Sequence, residues 1–464
     1  MSTLSTPQLA ATRAREDASF RARTPKSAAM RLRAAAHLPN AVPMAWMAGL
    51  YRTPTIYCES GAGARFSDID GNEYLDFNVA DLSMCAGFGP QPIVAAVSAQ
   101  VERGAHFLLP TVDAVDVAER LSELVGLPFW QATLSATGAN IEVMRIARIA
   151  TGRERVVVFH GHYHGHLEET LVKTVDGRVT SEVAGLPRHA GEATRILPFN
   201  DLAALERELK SEEVALVLTE PALSNCNIVL PEDGFLAGAR ELTAKHGTLL
   251  CLDEAHTFQF AYGGLTRAWG LAADFVVLGK GLGTGIPFGL YGMSASLGQL
   301  CARHLDVDVG PRGIGTGGTL YASAIALAAA RAALTHLLRP QDYSRITALG
   351  GRLADGLERL FSHYGLPWRA FRLGPRSGYC LDSALPRNGE EAARSLDVDF
   401  IDTRRVYFAN RGIWDAVASA GPQVSLAHTP ADVDRYLDVA EEFLGEIIAA
   451  SNPRPKARTL RRVR

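Results

Sequence analysis

Several things are scarce in this chain of 464 residues. Cysteine is one: the six present (Cys58, Cys85, Cys226, Cys251, Cys301, Cys380) are scattered, with no spacing that would hold a metal or suggest a disulfide framework. That points to a reduced, cytoplasmic setting. No stretch approaches the 18 consecutive apolar residues of a membrane span; the longest candidate, Ala322–Ala330, ends at Arg331. The first 30 residues have no apolar core, so they do not read as a secretory leader. Net charge is only −3, which predicts no general affinity for nucleic acid. What remains is an ordinary globular composition, 47% hydrophobic and 21% charged, long enough for two or three domains around a large core.

The informative stretch runs from Thr248 to Gly285. It holds two short apolar runs without polar alternation, Leu249–Leu252 and Phe275–Leu278. Such runs suit strands of a parallel sheet covered on both faces. Asp253 follows the first run and Lys280 closely follows the second. In open α/β sheets the ligand lies beyond the carboxyl ends of the strands, so an acid and an amine would reach one rim. Val156–Phe159 and Val214–Thr219 read as further buried strands. Residues 63–77 read as a hairpin around the Asp70-Gly71 turn, and Ile93–Arg103 as an amphipathic helix. Ala324–Leu338 and Val433–Ile448 also read as helices.

Ser135-Ala136-Thr137-Gly138 opens another helical run, and small residues there leave backbone N–H groups free for a phosphate. His160, His162, His164 and His166 alternate. On a strand they would share one face and could bind a transition metal, which supports a metal-dependent hydrolase as a rival reading. Gly161 and Gly165 argue for a turn instead, so no metal is expected.

Asp253-Glu254-Ala255-His256-Thr257, a glycine-rich turn and Leu278-Gly279-Lys280-Gly281 resemble the class III aminotransferase family, and within it the glutamate-1-semialdehyde aminomutase-like members. The resemblance implies a fold-type I α/β enzyme, with a mixed, mostly parallel sheet in a large domain and a smaller α+β domain. It implies pyridoxal 5'-phosphate as cofactor, with Lys280 forming a Schiff base and Asp253 keeping the pyridine nitrogen protonated. The reaction expected is amino transfer between an amine or amino-acid donor and a carbonyl acceptor. A 2,1-aminomutase or an epimerase on the same residues is the alternative, and a non-catalytic scaffold that inherits the fold is a third possibility.

Residue by residue, the resemblance assigns the phosphate turn to Ala136 and Thr137, where the family has Gly and Thr. It assigns ring stacking to Tyr163 and the phenolic oxygen to Asn225 and His256. Glu220 falls at the rim or serves as a scaffold ion-pair partner. Thr319 would reach the partner's cofactor phosphate across a homodimer. Trp46 is either a wall of the substrate pocket or an interface residue. Arg376 either binds a substrate carboxylate or stands at a surface turn. Aminomutase-like members carry Gly-Asn at Ser224-Asn225, and the family's Gly-Phe-Arg reads Phe258-Gln259-Phe260 here, so the usual Arg is missing; Arg267 is a possible substitute. The expected division is a disordered arm (1–30), a segment packing with the small domain (31–85), a large cofactor domain (86–330), a small domain (331–450) and a basic disordered tail (451–464).

Overall fold

Two helices open the chain where composition had suggested a disordered arm: α1 (Thr6–Arg23) and α2 (Pro25–Ala34). The structure is a computed structural model describing residues 6–50, 54–187, 189–303, 313–416 and 421–449. The expectation of disorder failed for a physical reason. The buried stripe of α1 is Leu9, Thr12, Glu16 and Phe20, at helical spacing but half polar. Its polar members are matched: Thr12 donates to Glu446 at 2.9 Å, and Asn410 donates to Glu16 at 2.7 Å. α1 packs on the helices Val398–Ala409 and Pro430–Ala449. Asp70 caps the start of α2 by accepting from the backbone N–H groups of Lys26 and Ser27. The expected disordered tail, 451–464, lies outside the described residues.

α3 (Ala45–Leu50) precedes an antiparallel trio, β1 (Cys58–Ala62), β2 (Arg65–Asp68) and β3 (Glu73–Asp76), with the Asp70-Gly71 turn between the last two. α4 (Gln91–Arg103) and α5 (Val112–Val125) lead into the main sheet. Its strands are β4 (Phe129–Thr133), β5 (Arg155–Phe159), β8 (Thr194–Leu197), β9 (Val214–Thr219), β10 (Leu249–Asp253), β11 (Phe275–Leu278) and β12 (Gly289–Met293). A separate ribbon, β6 (Val172–Val175) and β7 (Arg178–Ser181), lies between β5 and β8 in sequence. The seven strands run in the order β4-β12-β11-β10-β9-β5-β8.

β12 alone is antiparallel to its neighbours, so β4, β5, β8, β9, β10 and β11 all point one way. All six residues of β9 and all four of β11 are buried, as apolar runs covered on both faces require. α6 (Ala136–Thr151) covers one face with Ala139, Val143, Met144 and Ala147. Helix Ala324–His336, nearly all alanine and leucine on its buried side, packs with α4 and α5. The carboxyl-terminal part adds the ribbon β13 (Arg369–Leu373) and β14 (Arg376–Cys380). It also adds β15 (Ile413–Trp414), which pairs in parallel with β3 and so ties the two ends of the chain into one sheet.

Candidate active site

The carboxyl ends of β4, β5, β9, β10 and β11 converge on one rim, where a cleft of about 290 Å³ opens. β10 delivers Asp253, 3% exposed. Its Oδ2 accepts from Asn140 Nδ2 at 2.8 Å and from His164 Nδ1 at 2.8 Å. A carboxylate only accepts, so the His164 ring proton sits on Nδ1. Oδ1 accepts the Ala255 N–H at 3.0 Å, which leaves that oxygen with capacity toward the cleft. Burial pushes the Asp253 carboxyl upward, but His164, the Ala255 N–H and Asn140 outweigh it and hold the group below the usual carboxylate range.

Lys280 stands just past β11 in a left-handed conformation, φ +43°. Its Nζ pairs with Asp81 Oδ2 at 2.8 Å. Asp81 lies in a run of four consecutive left-handed residues, Val79 to Leu82, with φ of 52°, 45°, 53° and 67°. Each such residue costs roughly 1–2 kcal/mol, so something must hold the turn. The buried Asp76 carboxylate does, accepting from the N–H groups of Asn78 (2.9 Å), Val79 (2.9 Å) and Ala80 (3.1 Å). Burial nonetheless pushes the Asp76 carboxyl up to about 7. For Asp81 burial pushes upward too, but the paired Lys280, with Arg376 adding to it, holds the group low.

At β4 the chain turns into α6. Ser135 caps the helix by accepting from Gly138 N at 3.3 Å, and Ser135, Ala136 and Thr137 line the cleft. The first N–H groups of a helix have no intrahelical partner, and here that first turn lines the opening. Backbones crowd around this turn. A Cβ on Gly165 (φ +96°) would meet Thr137 Oγ1 at 2.0 Å, and one on Gly289 would lie 2.3 Å from the Ser135 carbonyl carbon. Tyr163 and Ala255 line the same cleft. Behind them Glu220, Ser224 and His256 are linked: Ser224 Oγ is 2.7 Å from His256 Nδ1 and in short contact with Glu220 Oε2. Burial pushes Glu220 up to about 8, with Asp253 adding and Ser224 opposing. Burial, reinforced by Lys280, pushes His256 down to about 3.

Four of the expected site residues do not line the cleft of their own chain. Trp46 is on α3 and half exposed, and Thr319 is exposed on a loop pinned to α6 through Gly317 N–H to Glu142 at 2.6 Å. Asn225 is half-buried, and its neighbour Ser224 makes the inward contacts. Arg376 corrects both readings made of it: it is 0% exposed, neither a surface arginine nor a group open to a carboxylate. Its Nη2 donates to Ser224 O at 3.1 Å and its guanidinium lies over Phe260. Arg267 does not replace the missing family arginine, because it donates to Glu123 O and Leu124 O at the end of α5.

The histidine run scatters. His162 sits between the carbonyls of Phe159 and Thr170, His164 is on Asp253 and His166 is exposed. Among the described residues no group of three His, Cys, Asp or Glu could hold a metal. Sequence reasoning missed Asn140, His164, Asp76 and Asp81.

A phosphate fits the open first turn of α6, a protonated ring nitrogen fits the free side of Asp253, and an aldehyde fits Lys280 Nζ. His164 Nε2 and Asn140 Oδ1 are both buried at this end of the site without a protein partner.

Comparison with known proteins agrees with this geometry. The class III aminotransferase family model matches residues 47–369. A glutamate-1-semialdehyde 2,1-aminomutase 2 of Brevibacillus brevis is 32% identical over 399 residues, spanning 84% of this chain and 91% of the relative. The crystal structure of a glutamate-1-semialdehyde aminomutase from Pseudomonas aeruginosa superposes with a TM-score of 0.91 at 33% identity, covering 96% of this chain and 100% of that one. A variant of that enzyme was solved in complex with PMP. An omega-transaminase from Sphaerobacter thermophilus gives 0.81 at 28% identity, covering 91% and 97%. The fold is therefore that of fold-type I enzymes and the cofactor is pyridoxal phosphate. With a matched segment that contains Asp253, Lys280 and the turn at Ser135, the chain belongs to the class III aminotransferase family.

Proposed function

We propose that this protein is an aminomutase, shifting an amino group between neighbouring carbons of one small carbonyl-bearing substrate. The family resemblance had put intermolecular transamination first. The observation that carries the change is likeness along almost the whole chain to enzymes named as 2,1-aminomutases, at a TM-score of 0.91 against 0.81 for the omega-transaminase.

Bound pyridoxal phosphate supplies an electron sink for the carbon that carries the amine. The protein's residues do the rest. The first turn of α6, Ser135 to Thr137, binds the phosphate. Tyr163 and Ala255, which line the cleft, would flank the cofactor ring. Asp253 Oδ1 accepts from the ring nitrogen, while Asn140 and His164 keep the carboxylate from turning. Lys280 Nζ would hold the cofactor aldehyde. As a free amine it would then act as base and acid, carrying a proton between the amine-bearing substrate carbon and the cofactor carbon bonded to the same nitrogen. Asp81 keeps the released ammonium within reach.

A homodimer fits the surface. Phe107, Leu108, Leu109 and Val112 are exposed together, and Ile325 N–H bonds Ala105 O, which brings the Thr319 loop beside them. Thr319 and Trp46 would then serve the partner's cleft. Six unpaired cysteines suit a cytoplasmic setting.

The test uses holoenzyme in its amine form with glutamate-1-semialdehyde and no second carbonyl compound. An aminomutase continues for many turnovers. Conversion that stops at one equivalent and resumes only on adding a keto acid would make the protein a transaminase.

A further inference from the structure

We infer that Glu220, Ser224 and His256 form a hydrogen-bond chain of fixed polarity that makes His256 a donor at Nε2 into the cleft, with Ser224 and Glu220 as its positioning residues. The inference extends the cofactor site described above but does not depend on whether the reaction is a shift or a transfer.

All three side chains are out of solvent: Ser224 is 0% exposed, Glu220 3% and His256 6%. They come from the end of β9, the loop after it and the turn after β10. Ser224 Oγ touches both of the others, yet its hydroxyl has a single proton to give. Two arrangements are possible. In one, an ionised Glu220 accepts from Ser224, and Ser224 accepts from a proton on His256 Nδ1. In the other, a neutral Glu220 donates to Ser224, and Ser224 donates to His256 Nδ1.

The surroundings decide between them. Glu220 has Asp253 as a charged neighbour of its own sign and Arg376 as one of the opposite sign. It is almost wholly buried, and although the Ser224 backbone N–H as well as its hydroxyl bears on it, its Oε1 has no protein partner. An ionised carboxylate would leave a charged oxygen buried without a donor, the costliest state for such a group. Burial favours the neutral acid, so the second arrangement holds. With Nδ1 accepting from Ser224, the single proton of a neutral imidazole must sit on Nε2. With Nδ1 turned to Ser224, Nε2 is the ring nitrogen left for the cleft that His256 lines.

The consequence is a chemical preference. An N–H fixed in this direction recognises an oxygen lone pair, such as a ring phenolate or a carbonyl, and disfavours a cationic or donor group at the same point. A glycine at 224, the residue expected from the aminomutase-like resemblance, would provide no such relay. Ser224 is thus a departure from that pattern that His256 can use.

The tautomer can be read without cofactor or substrate, by long-range 1H–15N correlation on histidine-labelled apoprotein, with His256→Asn identifying the signals. Wild type is expected to show His256 protonated at Nε2, with Nδ1 as acceptor. Ser224→Ala is expected to shift the Nδ1 signal and weaken pyridoxal phosphate binding about tenfold, the scale of one lost hydrogen bond to a charged or strongly polar group. Glu220→Gln, whose amide also donates to Ser224, should keep the wild-type tautomer and stay within about threefold in affinity. A proton on Nδ1 in wild type would overturn the inference, and this needs no variant to fold. So would an unchanged Nδ1 signal in Ser224→Ala, or loss of the tautomer in a folded Glu220→Gln. If the protein fails as an aminomutase while these spectra hold, only the proposed reaction falls.

Discussion

Replacing Asn140 with leucine tests the organisation of the whole site. Leucine keeps the four-heavy-atom, Cγ-branched skeleton of asparagine but is bulkier, so the change removes polarity and adds some volume. Asn140 Nδ2 donates to Asp253 Oδ2 at 2.8 Å and to His164 O at 3.0 Å, in a fully buried position. A hydrogen bond to a charged acceptor contributes about 1.5–3 kcal/mol. At 1.4 kcal/mol per tenfold, losing one of the two donors on Oδ2 should weaken pyridoxal phosphate binding by roughly 10- to 100-fold. His164 still holds the carboxylate, so the loss should stop short of abolition. Asn140→Asp would set a second carboxylate against Asp253 and should be worse than leucine. Equilibrium dialysis of pyridoxal phosphate against apoprotein measures the affinity, and the melting temperature of the same apoprotein separates a site defect from a folding defect. If Asn140→Leu melts like wild type and binds within twofold of it, the side chain is not a clasp on Asp253 and the argument fails.

Other outcomes follow from the same geometry. Glu220, an acid raised to about 8 from 4.5, binds its proton more tightly folded than unfolded, so stability falls as pH rises from about 5 to 8. The full shift corresponds to at most roughly 4–5 kcal/mol. Glu220→Gln should flatten that part of the melting-temperature profile, and parallel profiles for the two proteins would contradict it. Gly165→Ala places a Cβ 2.0 Å from Thr137 Oγ1 at a φ of +96°. It should reduce cofactor affinity at least tenfold, and unaltered dialysis curves would show that the turn has room. Phe20→Ala should destabilise the fold by about 3–4 kcal/mol in denaturant melts, since the ring is 1% exposed in a cluster with Phe66, Tyr74, Val406 and Ala409. Leu109→Glu should shift the protein toward monomer in sedimentation; no change would place the interface elsewhere.

Much of the sheet was legible because β9, β10 and β11 are covered on both faces and so become unbroken apolar runs. Asp253 and Lys280 were legible because they directly follow two of those runs. The residues that hold them were not. Asn140 lies 113 residues from Asp253, His164 lies 89 away, and Asp81 lies 199 from Lys280. No local period records such partnerships. The left-handed run around Asp81 contains no glycine to announce it; a buried carboxylate enforces it instead. His164 was hidden in a run that resembled a metal site, and Arg376 by a Gly-Pro turn that suggested exposure. α1 escaped notice because two of its four inward residues are polar and find partners more than 390 residues away.

α6 has one more implication. Its first turn presents the N–H groups at Ser135 to Thr137, and barely one turn later Asn140 reaches Asp253. One rigid element therefore sets the distance between the phosphate end of the site and the ring-nitrogen end. The helix acts as a gauge for ligand length: an analogue with its phosphate arm one carbon longer cannot satisfy both ends at once. Inserting one residue after Thr137 would swing position 140 by about 100° and uncouple them.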